Sequence, residues 1–219
     1  MSLVKLISFE GSIGSGKTTL ARRFTARLQS LGIKTSLVRD PGETKIGEGI
    51  RNILLDSNSI NMDDKTELFL YLAARAQLVH EVIAPKLAAG ETVVLDRYID
   101  SSIVYQGLLK NIEVRMIKNL NFWITKGIKY MPHITFMLDV EANLGLSRSN
   151  KTIERDLTSK DETRQEAKGL SFHEQVRAAY LGLAKSDDTG RVYVLDSTNN
   201  DITILLRQTI EIYKLRKGQ

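Results

Sequence analysis

Short apolar runs alternate along the chain with longer stretches whose apolar residues recur every three or four positions. "LVKLISF" at 3–9 reads as a buried strand closed by Glu10 and Gly11. Over 17–31, Leu20, Phe24 and Leu28 fall four apart and Gly32 follows, which predicts a helix with a glycine just past its C-terminal end. "TSLVR" at 35–39 is the next strand, stopped by "DPGE". A short helix is expected over 46–55. A long helical region is expected over 63–89, bent near Pro85, where a backbone donor is missing. "TVVLD" at 92–96, "ITFMLDV" at 134–140 and "RVYVLDS" at 191–197 complete five strands, with two helical stretches after the third and a last helix ending in "YKLRKGQ".

Apolar strands separated by helices define an α/β class: a parallel sheet covered on both faces, with right-handed crossovers and ligands at the carboxyl ends of the strands. Without an internal repeat or linker, 1–219 reads as a single domain. One stretch breaks the regularity. Residues 147–168, "SRSNKTIERDLTSKDETRQEAK", are almost wholly polar with charges of both signs, and read either as a solvated surface or as a lid.

Composition narrows the classes. The 219 residues are 42% hydrophobic and 26% charged, as in a globular chain, with a formal net charge of +5. That modest, dispersed excess suits anionic small ligands. No basic patch is interleaved with aromatics, so nucleic acid is not an expected partner. The absence of cysteine excludes disulfides, thiolate metal sites and a thiol nucleophile, and fits a reducing cytoplasm. No signal-peptide pattern opens the sequence and no apolar run spans a bilayer, so no membrane role is expected.

The sharpest chemistry is near the start. Gly11-Ser12-Ile13-Gly14-Ser15-Gly16-Lys17-Thr18 matches G-x-x-x-x-G-K-[ST], between a predicted strand and a predicted helix. Its glycines let backbone N–H groups converge on phosphate oxygens, and the helix start, including Thr19, adds its positive end. Lys17 would neutralise the β- and γ-phosphates, and the Thr18 hydroxyl would ligate Mg²⁺. Asp96, ending the apolar "TVVLD", is placed to reach the metal's water shell. The motif identifies a nucleoside triphosphate site, with Mg²⁺ expected. It does not separate kinase from ATPase or GTPase.

Four further stretches carry a resemblance: "RDPGET" at 39–44, "TELFLYLAARAQLVHEVIAPKLAAG" at 66–90, "DRYIDSSIVYQG" at 96–107 and "FHEQVRAAYLGLA" at 172–184. With the phosphate cradle they make the chain similar to thymidylate kinases over nearly its whole length. The resemblance implies the three-layer P-loop kinase fold, a five-stranded parallel sheet with helices on both faces and a lid. It implies transfer of the γ-phosphate of ATP to dTMP with Mg²⁺, and a homodimer formed through the helices after strands two and three. It also implies residue roles. Tyr71 stacks on the thymine ring and Arg75 hydrogen-bonds the base. Arg97 grips the acceptor phosphate, with Arg39 a second arginine on that side, and Ser102, Tyr105 and Gln106 line the nucleoside pocket. Arg148 lies beside the adenine, Arg164 and Glu166 belong to the lid motif, and Arg155 is a further candidate for the transferring phosphate.

The chain departs from the family pattern in four places. Ile13 stands where an acid is usual, Glu43 replaces a glycine in the family's R-E-P-G-G, Thr163 replaces the lid motif's aspartate, and the lid is longer. The isoleucine resembles the cradle of deoxynucleoside kinases. A kinase of deoxynucleosides, with Asp40 as base, or of another pyrimidine nucleotide therefore stays open. So does a nucleotide-binding regulator that has lost turnover.

Overall fold

Strand β1 (Leu6–Gly11) forms the centre of a five-stranded, wholly parallel sheet. Its neighbours are β3 (Thr92–Asp96) on one side and β4 (Ile134–Asp139) on the other. The edges are β2 (Thr35–Arg39) and β5 (Val192–Asp196), giving the order β2-β3-β1-β4-β5. The computed structural model describes residues 4–56, 58–155 and 168–218, with the side chains of 152–155 excepted.

All five strands predicted from the sequence are present. Their ends differ by a few residues, and one difference matters. Glu10 does not close the first strand: it lies within β1, pairs with Met137 of β4 and is fully buried. The reason is the two-residue period of a strand. Ile7 and Phe9 face one layer, while Leu6, Ser8 and Glu10 face the other.

The first layer holds helices α1 (Lys17–Ser30) and, at the end of the chain, the helix of Ile202–Gly218. Phe9, Phe24 and Phe136 meet there with ring centroids 5.1–5.7 Å apart, and Tyr213 closes the cluster. The second layer covers Leu6, Val93 and Leu95 with Leu78, Val79 and Ile83. Those three residues belong to the long predicted helical region. It runs as α3 (Asp64–Leu78), a π-helical turn (Val79–Ile83) and α4 (Ala84–Ala88), and the short helix expected over 46–55 precedes it as α2 (Lys45–Leu55). The bend expected at Pro85 takes the form of that wide turn just before it: Ala84 N–H reaches back to Val79 O, ahead of the position where proline has no donor.

After β3 come α5 (Ile99–Ser102), a second π-helical turn (Ile103–Leu108) and α6 (Val114–Ile124). After β4 come α7 (Ala142–Arg155) and α8 (Leu170–Lys185), and after β5 the last helix, α9 (Ile202–Gly218). The polar 147–168 stretch therefore starts inside α7, and 156–167 lie outside the described residues. No helix among the described residues is long and apolar enough to cross a membrane.

Candidate active site

The cradle wraps the carboxyl end of β1. Gly11, Gly14 and Gly16 have φ of 146°, 62° and 85°, which other residues rarely adopt. Lys17 and Thr18 open α1, so the helix's unpaired N–H groups face the loop. Ser15 Oγ is buried without a hydrogen-bond partner, a donor waiting for an acceptor. The loop also rests on a second element. A Cβ on Gly14 would lie 1.9 Å from Gly145 O of α7, and one on Gly145 would lie 2.6 Å from Ile13 O. Two glycines thus let α7 touch the cradle backbone. On the same side Arg148 donates to Ser197 O at 2.9 Å, and Ser197 Oγ donates to Ser15 O at 2.7 Å. Arg148 is thereby joined to the cradle. Arg155 ends α7, and its side chain lies outside the described residues, as do Arg164 and Glu166.

Thr18 Oγ1 donates to Asp96 Oδ2 at 2.7 Å, while Asp96 Oδ1 is buried without a partner. A hydroxyl and a carboxylate with one unsatisfied oxygen, next to a phosphate cradle, fit Mg²⁺ held partly by nucleotide oxygens and water. Among the described residues no cluster of three His, Cys, Asp or Glu side chains could hold a metal by itself.

Beside the cradle is a cavity lined by Ile13, Tyr71, Arg75, Arg97, Ser102, Tyr105 and Gln106. Six of these are the residues expected around the acceptor nucleotide. The seventh, Ile13, was assigned to the ATP site, and as a cradle residue it stands between donor and acceptor. Tyr71 and Arg75 share one face of α3, and burial pushes the Tyr71 phenol up to about 12. Tyr105 and Gln106 come from the π-helical turn after α5, whose extra residue per turn directs both inward. Gln106 Nε2 donates to Glu67 Oε1 at 2.8 Å, and Lys110 neutralises that carboxylate.

Arg75 is 1% exposed, and four of its five N–H donors are engaged. Nε donates to Asp40 Oδ2 at 2.6 Å, Nη1 to Ser102 Oγ at 2.9 Å and to Asn121 Oδ1 at 2.7 Å, and Nη2 to Tyr98 O at 3.1 Å. One N–H on Nη2 remains for the cavity. Arg97 has φ of 66°, a left-handed conformation that aims its side chain back over the sheet end. Its guanidinium lies 5.5 Å from the Tyr105 ring centroid.

Arg39 is not among the residues lining the cavity. Its Nη2 donates to both Glu48 oxygens, at 3.0 and 3.2 Å, and Glu43 N–H donates to the same carboxylate at 2.7 Å. Glu43 has φ of 66°, the conformation a glycine would take without cost.

Leu55, Ser101 and His173 also line the cavity and carried no functional assignment in the sequence reading, and Asp40, named there only as a base for a nucleoside acceptor, lines it too. Ser101 and Asp40 lie within quoted motifs, but only the fold shows them facing the cavity. His173 is 2% exposed, and neither ring nitrogen has a hydrogen-bond partner. Burial lowers its pKa below the usual histidine value, so the ring is neutral near pH 7. A histidine in the otherwise apolar stripe of α8 was the available signal.

A parallel sheet with a glycine cradle after its central strand, a magnesium-competent Thr–Asp pair and an adjoining cavity with cationic walls defines a P-loop kinase of small acceptors. Comparison with known proteins agrees. The thymidylate kinase family model matches residues 9–209. Thymidylate kinase of Solidesulfovibrio magneticus is 41% identical over 191 residues, covering 87% of this chain and 90% of that protein. Thymidylate kinase of Oleidesulfovibrio alaskensis is 42% identical over 175 residues, covering 80% and 82%. The crystal structure of thymidylate kinase from Ehrlichia chaffeensis has a TM-score of 0.73 at 28% identity, covering 95% of this chain and 97% of that one. The chain belongs to the thymidylate kinase family.

Proposed function

We propose that this protein transfers the γ-phosphate of ATP to dTMP, giving dTDP and ADP. The observation that carries the reading is one cavity whose walls include Ile13 of the cradle together with Arg97, Tyr71, Arg75 and Gln106. A base enters between Tyr71 and the spare N–H of Arg75, and its phosphate then points at the cradle. The acceptor phosphate has a second pKa of about 6, so it is already a nucleophile near neutral pH and needs no protein base. Its difficulty is repulsion from the triphosphate. Arg97 on the acceptor side and Lys17 on the donor side offset that repulsion and hold the two oxygens in line. Ser15 and the cradle N–H groups fix the donor phosphates. Thr18 and Asp96 would hold Mg²⁺, which neutralises charge on the β- and γ-oxygens when bound. Arg148, Arg155 and Arg164 bring further cations through a 147–168 lid, all within one domain of 1–219.

The enzyme works as a cytoplasmic homodimer. The exposed Ile46, Ile53 and Phe69 on α2 and α3 support pairing through that face. Coupled assay of ADP release against dTMP, dUMP, CMP, AMP and thymidine tests the function. The expected order places dTMP first by at least about tenfold, the worth of one charged hydrogen bond. Preference for thymidine would instead move the role to Asp40 as base, and no turnover with any acceptor would refute the reading.

A further inference from the structure

Behind Arg97 lies a buried acid that the transfer itself does not use. Glu10 is fully buried in the central strand. Oε1 accepts from Tyr98 N–H at 2.7 Å. Oε2 accepts from Ser101 Oγ at 2.7 Å and from Tyr180 Oη at 3.2 Å. The two hydroxyls are 2.9 Å apart. Arg97 Nη1 donates to the same hydroxyls, at 3.3 and 3.4 Å, and to Gly11 O at 3.3 Å. The order in space is carboxylate, hydroxyl pair, guanidinium, acceptor cavity. We propose that Glu10 is a positioning residue for Arg97, acting through the Ser101 and Tyr180 hydroxyls, so that its charge state sets how well the acceptor phosphate is gripped. This rests on the reading of Arg97 as the acceptor-phosphate ligand.

The argument is one of hydrogen-bond polarity. A hydroxyl has one hydrogen and two lone pairs. Ionised Glu10 is an acceptor only, so it draws the hydroxyl hydrogens towards itself, directly or in a chain. Their lone pairs then face Arg97, whose N–H groups can only donate. Neutral Glu10 puts a third hydrogen into the cluster and turns a hydroxyl hydrogen towards Nη1. That orientation opposes the guanidinium and loosens it.

The charged groups around the carboxyl balance it near neutrality. Burial and the nearby Asp100 raise its pKa to about 7, against the pull of Ser101, Arg97 and the Tyr98 N–H. Asp100 is itself bound by Arg191 of the β5 side at 2.7 Å, which brings a second cation towards the pair. Tyr180 of α8, with its phenol raised by burial, remains neutral and serves as a hydroxyl throughout.

The test is Glu10→Gln, which keeps the shape and removes the ionisation. The readout is the ratio of wild-type to variant kcat/KM for dTMP between pH 6 and 8.5. The ionisation of dTMP itself cancels in that ratio. The expected ratio is near one at pH 6 and climbs to about tenfold above pH 8, the loss of one charge-assisted hydrogen bond. Its midpoint is expected at about 7, with KM for ATP changed by less than about twofold. A ratio that is flat with pH, or falls as pH rises, overturns the inference. If the variant does not fold, Tyr180→Phe removes one relay hydroxyl and keeps Glu10. The ratio of wild-type to Tyr180→Phe kcat/KM must then also grow above pH 7, and a flat one overturns the inference. Arg97→Ala separates this from the underlying reading: if it leaves kcat/KM for dTMP unchanged, the acceptor-site assignment itself fails.

Discussion

Replacing Arg75 should cost the protein stability as well as substrate. The side chain is 1% exposed, and its Nε is 2.6 Å from an Asp40 carboxylate that is completely buried. Taking the guanidinium away leaves that carboxylate without its ion-pair partner in a low-dielectric setting, with only the more remote charge of Arg51 to help it, and also orphans Ser102, Asn121 and the Tyr98 carbonyl. Breaking a buried pair by removing one partner costs roughly 3–5 kcal/mol, against a total stability of about 5–15 kcal/mol for a domain. Methionine at 75 keeps the apolar stem, so packing loss is small and the charge dominates. Urea unfolding followed by circular dichroism should place Arg75→Met about 3 kcal/mol or more below wild type at pH 7.5. The double variant with Asp40→Asn carries no buried charge and should recover about 2 kcal/mol, a coupling expected of direct contacts.

The pH dependence gives an independent check. Burial already pushes the Asp40 carboxyl above its usual value, and Arg75 is the main influence holding it down. Without Arg75 it rises further. A carboxyl whose folded pKa exceeds its unfolded one contributes stability at low pH and loses it as pH rises through the folded value. The deficit of Arg75→Met should therefore shrink as the buffer is taken from pH 7.5 towards pH 5. A deficit under about 1 kcal/mol at pH 7.5, or one that widens in acid, would refute the argument, since either means the pair is solvated or the carboxyl was never ionised.

Lys17→Ala should abolish transfer, with a barrier increase of about 2.7–4 kcal/mol, while dTMP affinity by calorimetry stays near wild type; near-normal turnover would dismiss the donor site. Gly145→Ala should lower the melting temperature and raise KM for ATP, because its Cβ would sit 2.6 Å from Ile13 O and the overpacking costs about 1–3 kcal/mol. Gly182→Ala on α8 is the control: a Cβ there meets nothing within 4 Å, so it should be neutral or stabilising by up to about 1 kcal/mol.

Short-range rules made most of this fold legible. The five strands announced themselves as apolar runs, and the phosphate cradle by glycines at fixed spacing, because both signals are properties of consecutive residues. What escaped depends on where separate elements meet. Glu10 read as the end of a strand because a charge in an apolar run is ordinarily exposed. Only the sheet shows that its face is covered by α5 and α8, bringing Ser101 and Tyr180 to it from 91 and 170 positions away. Arg75 read as a residue for the base through the family resemblance, with its one-turn spacing from Tyr71 in keeping. The sequence carries no sign that Asp40, Ser102 and Asn121 converge on it from three other segments. Gly145 gave no signal at all, since a lone glycine in a helix looks like a weak point until its backbone is found against the cradle. These hidden residues share one property: each supports a group that motif reading had named. Arg97 rests on the Glu10 cluster, Asp40 holds Arg75 and Gly145 seats Ile13. The chemistry of this site is therefore written locally, and its geometry is set by residues whose partners lie far along the chain.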